Sequence, residues 1–312
     1  MSDDSPYPIP TFLSDHAKAV LAAPLPQGQN PALDDTDGWL QLIAYGNAGV
    51  EKRFGDVELP VTIEPREIAG VPVYVIRSAE VSDEISSPLL IDIHGGALII
   101  GGGALAGLMA APDALASGML TWAPDYRMPP LHPYPAGLDD VLAVYRAALD
   151  VRSPEEIAIA GTSAGGNLAA AVILRIKDEG LPTPGSLVLL SPEVDLTESG
   201  DTFQTLAKAS NTLGSLRDIN QLYAAGVDLT DPYVSPLFGD LTGFPPTFVQ
   251  AGTRDLFLSN AVRFHRKLRT AGVDAELHVF EAMPHGGFAG APEDEEVGLE
   301  LRRFLDKHHP RV

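Results

Sequence analysis

One short segment constrains the fold of this 312-residue chain more than any other. Residues 161–166 read Gly-Thr-Ser-Ala-Gly-Gly, directly after the apolar run of residues 157–160 and before a helix-like stretch at residues 167–177. A strand, a sharp turn and a helix in this order are typical of a nucleophile elbow, where small residues allow a strained backbone to lift a hydroxyl into a cleft. Ser163 is therefore the candidate nucleophile.

A second segment upstream fits the same chemistry. Since a Gly-x-Ser-x-Gly string also arises by chance in glycine-rich chains, it needs partners elsewhere. The apolar residues 89–93 form a buried-strand pattern and lead into His94-Gly95-Gly96-Ala97. Glycine-rich loops of this kind donate oxyanion-hole amides in enzymes that carry the elbow. The two segments together favour an acyl-transfer site.

Two further polar residues follow predicted strands. Asp255 comes after the apolar run of residues 247–252, and His285 stands in a glycine-rich loop after the strand pattern of residues 276–280. Open parallel sheets place their active sites at the carboxyl ends of the strands. The chain order Ser, Asp, His is that of α/β-hydrolases and differs from the order in chymotrypsin-type and subtilisin-type enzymes.

Other residues compete for these two roles. Asp195 also follows a predicted strand and is the rival of Asp255. The competing histidines are His278, His265 and His132. His285 is favoured because it alone lies in a glycine-rich loop at the carboxyl end of a strand. In this hypothesis His285 removes the proton of Ser163 and Asp255 orients the imidazole.

Strand and helix patterns alternate along most of the chain. Residues 57–68 and 71–77 alternate apolar and polar side chains around Ala69-Gly70, which predicts an antiparallel hairpin. The alternation that follows predicts a mostly parallel central sheet flanked by helices, an α/β class fold. Its predicted strands are residues 89–93, 120–124, 157–160, 187–190, 247–251 and 275–280.

At this point the sequence resembles a known family, the hormone-sensitive lipase-like carboxylesterases of the α/β-hydrolase superfamily, also called bacterial lipase family IV. The resemblance runs from about Pro88 to the C-terminal helix. Residues 124–127 (Pro-Asp-Tyr-Arg) with residues 132–136 (His-Pro-Tyr-Pro-Ala) match one family segment, and residues 191–196 (Ser-Pro-Glu-Val-Asp-Leu) match another. The Gly-Thr-Ser-Ala-Gly elbow is similar to that of a subgroup of the family.

The resemblance implies an oxyanion hole and also shows two departures. The family's amides map to Gly95 and Gly96, with Ala164 supplying the amide that follows the nucleophile. Ala97 replaces the third glycine of the family's His-Gly-Gly-Gly, and oxyanion binding is expected to survive. Leu131 replaces a family glutamate that usually buttresses the neighbouring loops, so their support is expected to differ.

The same resemblance implies a domain division. An α/β-hydrolase catalytic domain is expected over residues 51–195 and 240–312. Residues 196–239 interrupt the alternation with helical patches and no good strand, and they are expected to form an inserted cap segment. The N-terminal residues 1–50, with short helices predicted at residues 11–23 and 39–49, are expected to complete this helical cap.

Composition limits the partners. The net charge of −21 argues against nucleic acids and anionic membrane surfaces, which would repel the chain. No cysteine occurs, and no spaced ligand cluster appears, because His308-His309 is interpreted as a frayed pair; we expect no metal and no cofactor. Residues 1–10 lack a basic and apolar leader, which predicts a cytoplasmic location. Relatives often form homodimers, and no sequence feature decides this point here.

The predicted function is that of a serine carboxylesterase that hydrolyses short-chain acyl esters through an acyl-enzyme. Two alternatives stay open: a lactone, amide or carbamate hydrolase with the same triad, and a non-catalytic ligand-binding relative. The cap is expected to cover only a short acyl chain. The apolar residues expected there are Phe203, Leu206, Leu213, Leu216, Leu222 and Tyr223.

Overall fold

A computed structural model of the protein describes residues 7–24, 28–55, 59–81, 83–208, 210 and 212–310. In this part of the chain, one sheet contains eight strands in the order β1-β2-β4-β3-β5-β6-β7-β8. The strands are β1 (Val61–Ile68), β2 (Val71–Ser78), β3 (Leu89–Ile93), β4 (Leu120–Pro124), β5 (Ile157–Thr162), β6 (Ser186–Leu190), β7 (Thr247–Arg254) and β8 (Ala275–Pro284).

The sheet is mostly parallel. β2 runs antiparallel to both β1 and β4, and all other neighbouring pairs are parallel. The predicted hairpin is present, with its turn at Ala69-Gly70, where both residues have positive φ. Residues 57 and 58 of that prediction lie outside the described residues. The order and direction of these strands confirm the predicted α/β-hydrolase fold.

Helices cover both faces of the sheet. Their bounds are α1 (Asp15–Ala22), α2 (Thr36–Phe54), α3 (Ala104–Ser117), α4 (Ala136–Leu149), α5 (Ala164–Asp178), α6 (Thr202–Thr205), α7 (Arg217–Ala224), α8 (Leu258–Thr270) and α9 (Pro292–His308). On one face, the apolar residues of α4, α5 and α8 form the main core with the strands. On the other, α9 packs Leu301, Phe304 and Leu305 onto residues of β3, β5, β6 and β7. The central strands are buried on both sides, as their apolar sequences require.

Two sequence predictions need correction. The second N-terminal helix was expected over residues 39–49, but α2 is longer, because Asp35 caps its start by accepting a hydrogen bond from Gly38 N at 2.9 Å. His309 is not frayed: it is 4% exposed and its Nε2 lies 2.8 Å from Ser186 Oγ. Among the described residues, no helix has the length and apolar character needed to span a lipid bilayer.

Candidate active site

Ser163 lies at the turn between β5 and α5. Its backbone has φ 57° and ψ −118°, and its amide donates a hydrogen bond to Leu190 O at 2.8 Å. This strained geometry leaves no space for side chains on its neighbours. A Cβ on Gly165 would lie 1.9 Å from Ile93 O, and one on Gly161 would lie 2.2 Å from Gly165 O. The glycines of the elbow are therefore required for β3, β5 and α5 to approach each other.

His285 and Asp255 lie beside this serine. His285 follows β8, and its Nε2 is 2.9 Å from Ser163 Oγ. Its Nδ1 is 3.0 Å from Asp255 Oδ1, and the same carboxylate oxygen accepts a hydrogen bond from Phe257 N at 2.8 Å. The side chain of Asp255 is fully buried and that of His285 is 12% exposed. One ring nitrogen thus faces the hydroxyl while the other is fixed by a carboxylate.

The competing residues lie elsewhere. Asp195 is buried, but its carboxylate binds Arg263 Nη1 at 2.6 Å and Ser199 Oγ at 2.6 Å. His278 lies within β8 and stacks on Phe248, with ring centroids 4.6 Å apart. The other rival histidines are His265 on α8 and His132 in the loop after β4. None of these has a hydrogen bond to Ser163 in the described part of the chain.

The loop after β3 runs directly alongside the serine. A Cβ on Gly95 would lie 2.9 Å from Thr162 O and 3.3 Å from Ser163 Cβ, so the backbone of residue 95 contacts the elbow itself. The chain then passes through three residues with positive φ, namely Gly96 at 118°, Ala97 at 53° and Leu98 at 63°. Only glycine adopts such angles without strain. We call residues 94–101 the oxyanion loop.

His94 supports this loop. Its ring stacks on Tyr126 with centroids 4.3 Å apart, its Nδ1 lies 2.7 Å from Gly95 O, and Tyr126 donates a hydrogen bond to His94 O at 2.9 Å. Burial lowers the pKa of His94 to about 4, so the ring is neutral near pH 7. A neutral, fully enclosed imidazole suits a role in holding the loop.

The loop that carries His285 is held by contacts that the sequence does not predict. Asp294, near the start of α9, accepts hydrogen bonds from Phe288 N and Gly290 N, both at 2.8 Å. Arg53, near the end of α2, donates to Gly286 O at 3.0 Å. In the sequence, the acidic residues 293–296 are explained by the favourable charge of a helix N-terminus, and nothing indicates that one of these carboxylates folds back onto this loop.

Glu193 connects the elbow to the segment after β6. Its amide donates to Ser163 O at 3.1 Å, and its own carbonyl accepts from Asn167 Nδ2 at 2.9 Å. Its carboxyl group is fully buried and accepts a hydrogen bond from Asn220 Nδ2, on α7, at 2.9 Å. In the sequence, residue 193 lies in the family segment of residues 191–196, which predicts no role for its carboxyl group. No sequence pattern predicts that an acidic residue will be buried without a basic partner.

An apolar cluster adjoins the triad. We call it the cap cluster, and its buried members are Trp39, Ile99, Phe203, Leu216, Ile219, Leu256 and Phe257. Five of the six apolar residues expected in the cap belong to it or pack against it. Tyr223 does not, because it lies in the main core and meets Tyr134 edge-on at 5.9 Å. Phe257 meets His285 edge-on, with ring centroids 4.8 Å apart.

Comparison with known protein families and curated proteins gives one consistent result. A profile of the alpha/beta hydrolase fold family matches residues 90–289. An esterase of Acinetobacter venetianus is 35% identical over 228 residues, which are 72% of this chain and 74% of that protein. An acetyl-hydrolase of Streptomyces hygroscopicus is 33% identical over 247 residues, covering 78% of this chain and 80% of that protein.

Solved structures agree. The crystal structure of the esterase E25 superposes with a TM-score of 0.87 at 36% identity, covering 97% of this chain and 96% of the other. An esterase of the bacterial hormone-sensitive lipase family superposes with a TM-score of 0.81 at 30% identity, covering 95% of this chain and 99% of the other.

Proposed function

The chain belongs to the alpha/beta hydrolase fold family and is a carboxylic ester hydrolase akin to the bacterial hormone-sensitive lipase esterases, and we propose that Ser163, His285 and Asp255 carry out this hydrolysis through an acyl-enzyme. The observation that carries the proposal is the continuous contact from Ser163 Oγ to His285 Nε2 at 2.9 Å and from His285 Nδ1 to Asp255 Oδ1 at 3.0 Å. A serine hydroxyl becomes an effective nucleophile when a base in this geometry accepts its proton.

In the proposed mechanism, Ser163 Oγ attacks the carbonyl carbon of the ester while its proton passes to His285 Nε2. Negative charge forms on the carbonyl oxygen, and the amides of Gly95, Gly96 and Ala164 stabilise it. His285 then gives the proton to the departing alcohol. Water, activated by the same imidazole, cleaves the acyl-enzyme and releases the acid. The close approach of Gly95 to Ser163 Cβ supports this assignment of the oxyanion hole.

We further propose that α1 and α2 with residues 196–239 form a cap over the site. The cap cluster supports this division, because it joins Trp39 of α2 to Phe203 of α6 and Leu216 of the inserted segment. Its members also contact both catalytic loops, through Ile99 of the oxyanion loop and Phe257 beside His285. The Gly-Thr-Ser-Ala-Gly elbow fits the corresponding subgroup of the family.

The proposed substrates are short acyl esters, from acetates to hexanoates. The cap cluster is largely filled by its own side chains: Trp39 and Phe257 are 0% exposed and Ile99 is 1% exposed. An enclosed cluster of this kind offers little room for a long acyl chain. A series of p-nitrophenyl esters measures the preference, and a maximal kcat/KM at palmitate would refute it.

The triad is tested by covalent labelling. A fluorophosphonate probe is expected to modify the wild-type protein at one site and to leave Ser163→Ala unmodified. Ser191→Ala is a suitable control, because Ser191 is another buried serine at the end of a neighbouring strand and has no hydrogen bond with His285 in the described part of the chain. Labelling of Ser163→Ala at the wild-type rate would overturn the assignment. A panel of lactones, amides and carbamates assayed in parallel defines which acyl compounds the site accepts.

A further inference from the structure

One face of α2 lies against the oxyanion loop. Trp39 and Ile43 pack with Ile99 and Ile100 in the cap cluster. Gly46 lies on the same face, one turn after Ile43 and two turns after Trp39. It is so close to the loop that a Cβ there would lie 2.4 Å from Ile100 Cδ1. These positions recur at the spacing of a single helical face. This face of α2 therefore packs directly against the oxyanion loop.

The same face provides a polar contact. Asn47 Oδ1 accepts a hydrogen bond from Gly101 N at 2.9 Å, across 54 residues of chain. Gly101 has φ 101°, and a Cβ there would lie 2.7 Å from His94 Nδ1. His94 Nδ1 in turn lies 2.7 Å from Gly95 O. A short path of contacts thus connects the amide of Asn47 to the peptide that adjoins Ser163.

The oxyanion loop has need of such external support. Ala97 and Leu98 both have left-handed backbone angles, which cost non-glycine residues of order 1–3 kcal/mol each. Within the loop, Ile99 N and Ile100 N both donate to Gly96 O, at 3.0 and 2.8 Å. A strained conformation persists only when surrounding contacts fix it.

We propose that Asn47 is a positioning residue for ester hydrolysis: its side-chain oxygen holds Gly101, and through His94 it keeps the amides of the oxyanion loop aimed at the developing negative charge. This inference rests on the proposed function, because it assumes that Gly95 and Gly96 stabilise the oxyanion. Asn47 acts on the oxyanion loop through its hydrogen bond with Gly101, so its effect is expected on the transition state and not on the substrate complex.

The test compares Asn47→Leu, which removes the acceptor at similar size, with Asn47→Asp, which keeps it. For Asn47→Leu we expect kcat for p-nitrophenyl acetate to fall between about 10-fold and 100-fold with KM little changed, since small displacements of oxyanion donors are costly. The inhibition constant of a trifluoromethyl ketone, which forms a tetrahedral adduct with an oxyanion, is expected to rise by the same factor. Asn47→Asp is expected to recover most of both losses.

Controls separate this inference from the proposed function. Gln41→Ala, on an exposed part of α2, is expected to match the wild type. Circular dichroism and fluorophosphonate titration give the folded and active fractions, so a loss of folded protein is not counted as a loss of kcat. Wild-type kinetic constants in Asn47→Leu, or a loss in Asn47→Asp equal to that in Asn47→Leu, would overturn the role of Asn47. If the wild type itself fails to react with the fluorophosphonate, the proposed function fails instead.

Discussion

Glu193 makes the pH dependence of folding stability a direct test of the structure. Its carboxyl group is 0% exposed, and among the described residues Oε1 accepts a hydrogen bond from Asn220 while Oε2 has no partner. Burial raises the pKa of Glu193 to about 8, and the negative charges of Glu198 and Asp195 add to this rise. The group is therefore mostly protonated in the folded protein at neutral pH.

The magnitude follows from linkage between protonation and folding. The ordinary pKa of a glutamate is 4.5, so the folded protein binds this proton more tightly than the unfolded chain does. The stabilising contribution is complete below pH 4.5 and is lost as the pH rises to about 8. At about 1.4 kcal/mol for each pKa unit, the loss amounts to roughly 5 kcal/mol, a large part of the stability of a typical domain.

The variant Glu193→Gln isolates this contribution. The amide oxygen can still accept from Asn220, but the side chain can no longer ionise. Relative to the wild type, the variant is expected to gain several kcal/mol in free energy of unfolding between pH 5 and pH 9. Urea titrations followed by tryptophan fluorescence at pH 5, 7 and 9 measure the difference. Glu281→Gln, at an exposed position, is the control and is expected to show no such gain.

One result would refute the reasoning. If the free energies of unfolding of Glu193→Gln and the wild type differ by the same amount at pH 5 and pH 9, the carboxyl does not titrate in this range. Glu193 would then be either ionised throughout or reached by water, and its buried position against α7 would be wrong.

Two further predictions concern packing at the site. Gly165→Ala is expected to destabilise the protein by more than about 4 kcal/mol, because its Cβ would lie 1.9 Å from Ile93 O. Gly49→Ala is the control: a Cβ there meets no atom within 4 Å, and the variant is expected to be neutral or slightly stabilising. Thermal unfolding of both variants measures the difference. Phe257→Ala is expected to lower the free energy of unfolding by about 3–5 kcal/mol. It is also expected to lower kcat of the folded fraction, because the ring packs against His285. Phe264 is equally buried but remote from the triad, so Phe264→Ala is expected to lose stability alone. Equal kcat in the two phenylalanine variants would contradict this.

The sequence predicts those features of the molecule that are determined by residues close to one another in the chain. Apolar runs of strand length fall at the observed strands, and the six residues of the elbow adopt the strand, turn and helix that their small side chains favour. Charged residues are distributed along α9 as a helix dipole favours, with acidic side chains in its first turn and basic ones in its last. Each of these features depends on residues that are close together in the sequence.

The features that the sequence does not reveal depend on long-range contacts. Asn47 bonds to Gly101 across 54 residues, and Asn220 bonds to Glu193 across 27. The sequence around a single asparagine does not indicate which distant residue will be its hydrogen-bond partner. Tyr223 likewise shares the helical spacing of its neighbours, yet it packs in the main core and against Tyr134 instead of in the cap cluster.

The docking of α2 has a consequence for how the protein fails on heating. Trp39 is the one side chain of this helix that is buried among the described residues, so its attachment is weak compared with that of the central strands. Regions with few buried contacts open at a lower free-energy cost than the core does. On warming, ester hydrolysis is therefore expected to be lost while the central sheet is still folded. The upper temperature limit of activity is then set by the detachment of α2. Strengthening the contact between α2 and the oxyanion loop is therefore expected to raise this temperature limit without any change to the core.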